Sequence, residues 1–246
     1  MSLNDEHYQK LVENKGKSKC ASCGYSDRFD PFVLNKVPRI RGLYHDLFES
    51  FLSDIPCSRL LDVGCGTGIY FDVLSKYADH IEAIDCSEDM IRIAQQYCDE
   101  NELRGINPQT GSVESLQHED ESFDVVIELD VLHHVTDFDA TLNEIWRVLK
   151  PGGHFLVFEP NICNPLMFLA HALPREERLA LQRNQPRKLL SSLETRFNTV
   201  RWRGICSLIT QTSGPKRLIL DTYLKLCSVF LWERCYPRQG WLGVKT

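Results

Sequence analysis

The chain has 246 residues, 43% apolar and 25% charged, which fits one α/β-sized domain, alone or with a subdomain, and excludes collagen-like, coiled-coil and disordered classes. A net charge of −6 argues against a general nucleic-acid binder. The N-terminal stretch has no apolar core segment and no window approaches the ~18 uncharged apolar residues of a membrane span, so the ten cysteines are expected as reduced thiols in a cytoplasmic protein.

Residues 1–58 read as an N-terminal helical cap region. Cys20-Ala-Ser-Cys23 has the spacing of half a zinc site, but no second Cys-x-x-Cys exists. His45 and Cys57 would have to be recruited singly, so no metal is expected. From residue 59 to residue 161 strand and helix patterns alternate. Arg59–Val63 is a short strand ending at glycines. Tyr70, Val73, Leu74 and Tyr77 then recur at helical spacing. Ile81–Ile84 is the next strand, and Ser87 can cap a helix with Glu88 and Asp89 in its first turn. Met90, Ala94, Tyr97 and Cys98 form the inner stripe of that helix. A weaker strand spans about 106–110, and Phe123–Ile127 reads as a buried one. Thr136 or Asp137 starts a helix with Leu142, Ile145, Trp146 and Leu149 inward, and Lys150-Pro-Gly-Gly153 stops it. Phe155–Phe158 is another strand. Such alternation predicts βαβ units, hence a parallel sheet with helices on both faces.

Beyond Asn161 the pattern changes. Residues 162–173 and 176–184 look helical, and Phe197–Ile205 alternates like a strand. Lys216–Arg234 is a long amphipathic helix candidate, and Trp241–Lys245 a last strand. In the helix candidate Leu220, Tyr223, Leu224, Cys227 and Leu231 form one stripe, widened by Ile219, Leu226 and Phe230; core packing is the expected use of such a stripe. Residues 162–246 hold 14 Lys+Arg against 5 Asp+Glu, a balance of +9, while residues 1–161 hold 14 against 29, a balance of −15. An acidic core followed by a basic, apolar region suggests a division of labour, with 162–246 as a basic substrate cover that also completes the sheet.

The most informative stretch is Leu61-Asp-Val-Gly-Cys-Gly-Thr-Gly68, where a strand ends, glycines alternate and a helix begins. Glycine lets the backbone turn sharply and approach a ligand closely. Asp85 follows about 20 residues on, at the end of the next strand, where a carboxylate can accept from ribose hydroxyls. A nicotinamide-dinucleotide fingerprint would need glycine at position 69, which is Ile69.

This stretch resembles motif I of the Rossmann-like, class I S-adenosylmethionine-dependent methyltransferases. The resemblance continues in order over roughly residues 40–161. Ala83-Ile-Asp-Cys-Ser-Glu-Asp-Met90 resembles the second-strand motif, and Gly111-Ser-Val-Glu-Ser-Leu116 the adenine-contacting turn. Phe123–Val135 resembles the fourth-strand motif, and Glu144–Gly153 the helix and turn before strand five. The resemblance implies an α/β fold with a Rossmann-like methyltransferase sheet, mostly parallel with an antiparallel last strand, helices on both faces and a helical C-terminal insertion. Residues 59–161 would be its core, binding S-adenosylmethionine and its product S-adenosylhomocysteine. It further implies that Asp62 and the loop of Gly64, Cys65, Gly66 and Gly68 face the methionine part, and that Asp85 holds the ribose. Cys86 and Met90 would lie beside the adenine, Ser112 and Val113 would meet its edge, and Glu128 would be a cofactor-side residue. The family commonly has Asp at position 112; Ser112 can also accept, but more weakly than a carboxylate.

Methyl transfer from a sulfonium is an in-line displacement with a good leaving group, so alignment is the main task. A base is needed only where the acceptor must lose a proton. Glu128, Asp130, His133 and His134 follow the fourth strand at its carboxyl end, where ligands bind such sheets. His133 and His134 are the best candidates by titration range, set against a packing or cofactor-contact role. Glu159 is a candidate to face the substrate. Arg41 and Tyr44, on a helix before the first strand, are candidates to close over the cofactor carboxylate, set against a surface Arg and a core Tyr. The basic, apolar 162–246 region suits a small or lipid-linked anionic acceptor and peripheral membrane contact. Glu159-Pro-Asn-x-x-Asn-Pro165 also resembles a variant of the family found with polysaccharide and lipid biosynthesis enzymes. The competing readings are a non-enzymatic domain binding the same cofactor, an RNA methyltransferase and, less favoured, an NAD-dependent oxidoreductase. The acceptor atom and the oligomeric state are not legible.

Overall fold

The computed structural model describes residues 31, 38–173, 178–206, 214–230 and 232–246. In chain order the elements are α1 (Pro38–Leu52), β1 (Arg59–Val63), α2 (Phe71–Leu74), β2 (His80–Asp85), α3 (Glu88–Glu100), β3 (Ile106–Thr110), β4 (Phe123–Leu129), α4 (Phe138–Val148) and β5 (Leu149–Pro160). There follow α5 (Pro165–Ala172), α6 (Arg178–Arg183), α7 (Pro186–Leu193), β6 (Asn198–Ile205), α8 (Gly214–Phe230), a 3-10 turn (Glu233–Cys235) and β7 (Arg238–Val244). The seven strands form one sheet in the order β3-β2-β1-β4-β5-β7-β6. The five strands from β3 to β5 run parallel, and β7 pairs antiparallel with both β5 and β6. β6 and β7 thus complete one edge, as expected, with α8 inserted between them.

Strand alternation builds two cores from one sheet, because successive side chains point to opposite faces. Leu60, Val125, Ile127, Leu156 and Phe158 join Tyr44, Phe48 and Phe51 of α1 on one face. Leu61, Val126, Phe155, Val157 and Trp241 join Leu142, Ile145 and Val148 of α4 and Leu189 and Leu193 of α7 on the other. α3 packs its Ile91, Ala94, Tyr97 and Cys98 with Phe71 and Ala83. Two predicted caps are made: the Ser87 hydroxyl accepts from Met90 N, and the Asp137 carboxylate from Ala140 N.

Several sequence expectations need correction. The helix after motif I is one turn long; Tyr77 lies beyond it and turns its hydroxyl to the Glu49 carboxylate of α1, at 2.9 Å. Trp146 is not inward: it is 40% exposed, with the Lys245 ammonium 4.0 Å above its ring. Leu149 is buried, but as the first residue of β5. Lys150-Pro-Gly-Gly153 lies within β5, out of register with β4. Leu149 pairs with Phe123 and His154 with Val125, while Gly152 N donates to Lys245 O and Lys245 N to Gly153 O. The helix foreseen from 162 starts at Pro165, where Asn164 caps it. α7 was not foreseen. Cys20 and Cys23 lie outside the described residues.

Candidate functional site

Ligands of doubly wound sheets bind beyond the carboxyl ends of the strands, at the point where strand order reverses. Here that point lies between β1 and β4. The register brings Val63 level with both Ile84 and Glu128, and Asp85 level with Thr110, so the ends of β1 to β4 present the predicted residues along one edge.

The glycine loop leaves β1 and doubles back: Gly64 N and Cys65 N both donate to Ile84 O, at 2.7 and 2.9 Å. Gly64 has φ +73°, and a Cβ there would run into the Val131 side chain. Gly66 has φ +55°, and a Cβ there would meet nothing within 4 Å, so its backbone faces open space. Asp85 fastens the loop from below, accepting from Gly66 N and Ser87 N at 2.9 Å each.

Behind the loop Asp62 is 1% exposed, and neither carboxylate oxygen has a hydrogen-bond partner. Burial, and then the charge of Asp85, push its pKa up to about 8. An uncompensated buried carboxylate is expensive, and a cation or a strong donor arriving at the loop would relieve it. Cys65 and Met90 are buried, Cys86 is exposed at the strand end, and Val113 is half-buried. Ser112 is exposed, its hydroxyl accepting from Glu114 N at 3.2 Å. Gly111 N donates to Asp85 O, so the 111–113 turn and Asp85 move as one piece.

Beyond β4 the chain turns at Asp130, a non-glycine residue with φ +63°. Glu128 is fully buried; one oxygen accepts from Val131 N at 3.0 Å and the other has no partner. Burial, then the neighbouring Glu159 charge, hold its pKa well above the carboxylate range. His133 is buried with Nδ1 2.6 Å from Glu159 Oε2, and Asn184 Nδ2 donates to the same oxygen at 2.5 Å. The His134 ring lies 3.8 Å from that of His133, and His171 of α5 stands edge-on to His133 at 5.8 Å. Glu159, near the end of β5, is therefore a buried partner of His133.

Two neighbours in sequence, Arg183 and Asn184, fix this loop from the basic region. Arg183 donates to Leu132 O and Val135 O, at 3.1 and 2.6 Å. Sequence reasoning missed Asn184, Arg183 and His171, which lie 38 residues or more from His133 and share no local pattern with it. On the other flank Arg41 pairs with Asp72 at 2.7 Å, and buried Tyr44 meets Tyr70 edge-on at 4.7 Å. Both tie α1 to the segment following the glycine loop. Of the residues weighed against zinc, Cys57 is half-buried, its thiol pushed up to about 12 by burial. The His45 Nδ1 lies 3.9 Å from Asp46.

Residues 61–157 match the methyltransferase domain family. Over those residues, from β1 to β5, the chain is similar to a methyltransferase domain. A ubiquinone biosynthesis O-methyltransferase of Maricaulis maris is 36% identical over 96 residues, 39% of this chain and 37% of its own length. The uncharacterized methyltransferase YcgJ of Bacillus subtilis is 32% identical over 101 residues, 41% of this chain and 40% of its own. The matches thus span about two fifths of these relatives. A solved S-adenosylmethionine-dependent methyltransferase from Aquifex aeolicus superposes with TM-score 0.57 at 17% identity, over 89% of this chain and all of its own, which shows the shared fold. A methyltransferase domain of this fold would take S-adenosylmethionine as cofactor, as the name of the Aquifex aeolicus protein states. Its residues fit that molecule: the unpartnered Asp62 carboxylate suits a ligand carrying an ammonium group, and the open Gly66 backbone leaves room for close approach.

Proposed function

We propose that the chain transfers a methyl group from S-adenosylmethionine to a small or lipid-linked, anionic acceptor, with His133 as the base where the acceptor is a hydroxyl. The bound cofactor supplies an electrophilic methyl on a sulfonium. Asp62 and the Gly64–Gly68 backbone would hold its methionine part, Asp85 its ribose, and Cys86, Met90, Ser112 and Val113 its adenine. Glu128 would border it on the β4 side. His134 would stack on His133 and keep the ring in place.

The observation that carries the reading is the buried pair of His133 and Glu159 at the carboxyl end of β4, the edge to which the glycine loop also turns. With Nδ1–H donating to Glu159, Nε2 is the basic nitrogen, and the carboxylate stabilises the imidazolium formed when an acceptor proton is taken. Transfer to a hydroxyl is favoured by the relatives named as O-methyltransferases. An anionic acceptor is favoured by the +9 balance of residues 162–246, and an amphipathic one by the apolar surface of that region. The same apolar surface speaks against RNA, whose sites are basic and polar. Such an acceptor suits a cytoplasmic protein that meets membranes at their periphery.

Calorimetry with S-adenosylmethionine, S-adenosylhomocysteine and NAD tests the cofactor part. The first two should bind at micromolar scale and NAD should not. Asp85→Ala should lower affinity by about 1.5–3 kcal/mol, the range for hydrogen bonds to a charged group. Methyl transfer to a panel of phenolic, carboxylic and lipid-linked acceptors tests the rest. Cofactor binding with no transfer to any of them would leave a non-enzymatic binding domain.

A further inference from the structure

We infer that the joint outer face of α5 and α8 docks on the surface of an anionic lipid bilayer. The inference stands on that surface alone and does not depend on methyl transfer. None of the residues of α5 is buried, although its sequence, Pro-Leu-Met-Phe-Leu-Ala-His-Ala, is apolar apart from His171. α8 is apolar on two sides. Cys227 is buried and Leu220, Tyr223 and Leu224 are half-buried, as the sequence stripe predicts. Ile219, Leu226 and Phe230, expected to widen that stripe, instead face outward together with Leu218 and Val229, all between 51% and 75% exposed. Trp232, just past the helix, is 85% exposed. A helix apolar all round is ordinarily covered on every side, and an uncovered apolar patch of this kind marks a docking surface.

A buried asparagine joins the two helices. Asn164 Oδ1 accepts from Leu166 N and Met167 N at the start of α5, and also from the Tyr223 hydroxyl of α8 at 2.7 Å. Its Nδ2 donates to Cys235 O at 3.0 Å, beyond α8. The second asparagine of the Asn-x-x-Asn-Pro motif thus links the start of α5 to α8 and to the segment that follows it. Asn161, the first, holds the same return segment by donating to Arg234 O at 2.8 Å.

Charge complementarity selects the occupant. Exposed Lys225 lies on the outer face of α8, and exposed Arg234 follows Trp232 by two residues. Glu233, the acidic residue between Trp232 and Arg234, turns one carboxylate oxygen to β6, where it accepts from Gly204 N at 3.0 Å. Aromatic and aliphatic side chains interspersed with Lys and Arg form the composition of a surface that lies in the headgroup boundary of an anionic membrane. No described helix is long and apolar enough to cross a membrane, so contact is in the plane of the interface. A second copy of the chain would bring the same basic surface face to face with itself, which like-charge repulsion opposes.

The test is sedimentation of the full chain with vesicles of phosphatidylcholine, alone or with about 30% phosphatidylglycerol. Binding should be at least about tenfold tighter to the anionic vesicles, and should weaken when salt rises from about 0.1 to 0.5 M. Phe230→Ser with Trp232→Ser, and separately Lys225→Glu with Arg234→Glu, should each reduce it about tenfold or more. All four side chains are exposed, so an unchanged Tm confirms that each variant folds. The inference is overturned if the wild type ignores anionic vesicles or binds both compositions equally. It is equally overturned if light scattering shows a dimer that the Phe230→Ser, Trp232→Ser variant abolishes. Cofactor calorimetry on the same samples separates failure here from failure of the methyltransferase reading.

Discussion

Residues 1–161 and 162–246 solve the problem of polar groups in opposite ways. In the acidic part, two buried carboxylates are incompletely paired: Asp62 lacks any hydrogen-bond partner and Glu128 has one oxygen without one. These groups line the sheet edge to which the cofactor site is assigned. In the basic part, three of the buried polar groups are the neutral amides of Asn164, Asn184 and Gln239, each with a hydrogen bond that fastens one segment to another, and only Asn184 Oδ1 among their side-chain atoms is left without a partner. Apolar side chains divide the other way. The sheet strands of the acidic part close their leucines, valines and phenylalanines into two cores, whereas α5 and α8 leave theirs outside. The acidic part leaves its unpaired carboxylates at the assigned cofactor edge, and the basic part leaves apolar surface uncovered.

The largest expected effect falls where the two parts meet, at His133, Glu159 and Asn184. His133→Ala should lower kcat by roughly 10²–10⁴-fold, the usual share of a general base. Calorimetric affinity for S-adenosylmethionine should stay within about threefold, because His133 is assigned to the acceptor side. Asn184→Ala, a change in the basic part, should give a smaller loss of kcat and a shifted pH–rate profile, because Glu159 loses a donor and its hold on the imidazole changes. A fall in cofactor affinity equal to the fall in kcat would move His133 to the cofactor side of the site.

Asp62 sharpens the contrast through pH. Its pKa is raised to about 8 in the folded chain, from roughly 3.9 when unfolded. The folded state therefore holds an extra proton between those values. The sign follows: stability contributed by the protonated group is full below pH ~4, falls as pH rises through 8, and is level above. Asp62→Asn should remove this slope and raise apo stability by roughly 1–3 kcal/mol at pH 8, with little gain at pH 4. The gain stays below the full linkage value because the amide is also left without partners. The same variant should weaken S-adenosylmethionine binding. Tm against pH for both proteins, with and without cofactor, checks both halves.

The parallel core was legible because its signals are local. Val125-Val126-Ile127 is a run too short and too β-branched for a helix, and Ser87 and Asp137 announce the helices they cap. The resemblance to class I methyltransferases, carried by Asp62 to Gly68 and by Asp85, supplied the antiparallel edge of the sheet and the candidate site residues. The pairing of His133 with Glu159 and Asn184 was not legible, because it depends on three segments 25 residues or more apart meeting at one sheet edge. α7 is only two turns long, and its one clear signal, Pro186 at the helix start, was passed over. For α8 the difficulty is different in kind. Periodicity detects an apolar stripe, but a helix with apolar residues on two sides gives no information about which side the fold covers.

That ambiguity defines the smallest expected effect and the cleanest test of the two-part comparison. Leu142 on α4 and Leu226 on α8 belong to helices of similar composition, yet one is fully buried and the other 51% exposed. Truncating Leu142 to Ala leaves a cavity in a core that interlocks with Val126 and Phe155, and should destabilise by about 2–5 kcal/mol. Truncating Leu226 to Ala removes a side chain that loses little water contact on folding, and alanine is the better helix former, so the change should lie within about 0.5 kcal/mol. Urea unfolding of both variants gives the comparison directly. A loss at Leu226 approaching that at Leu142 would mean that this face of α8 is covered in the free chain, and the membrane surface assigned to it would then have to lie elsewhere.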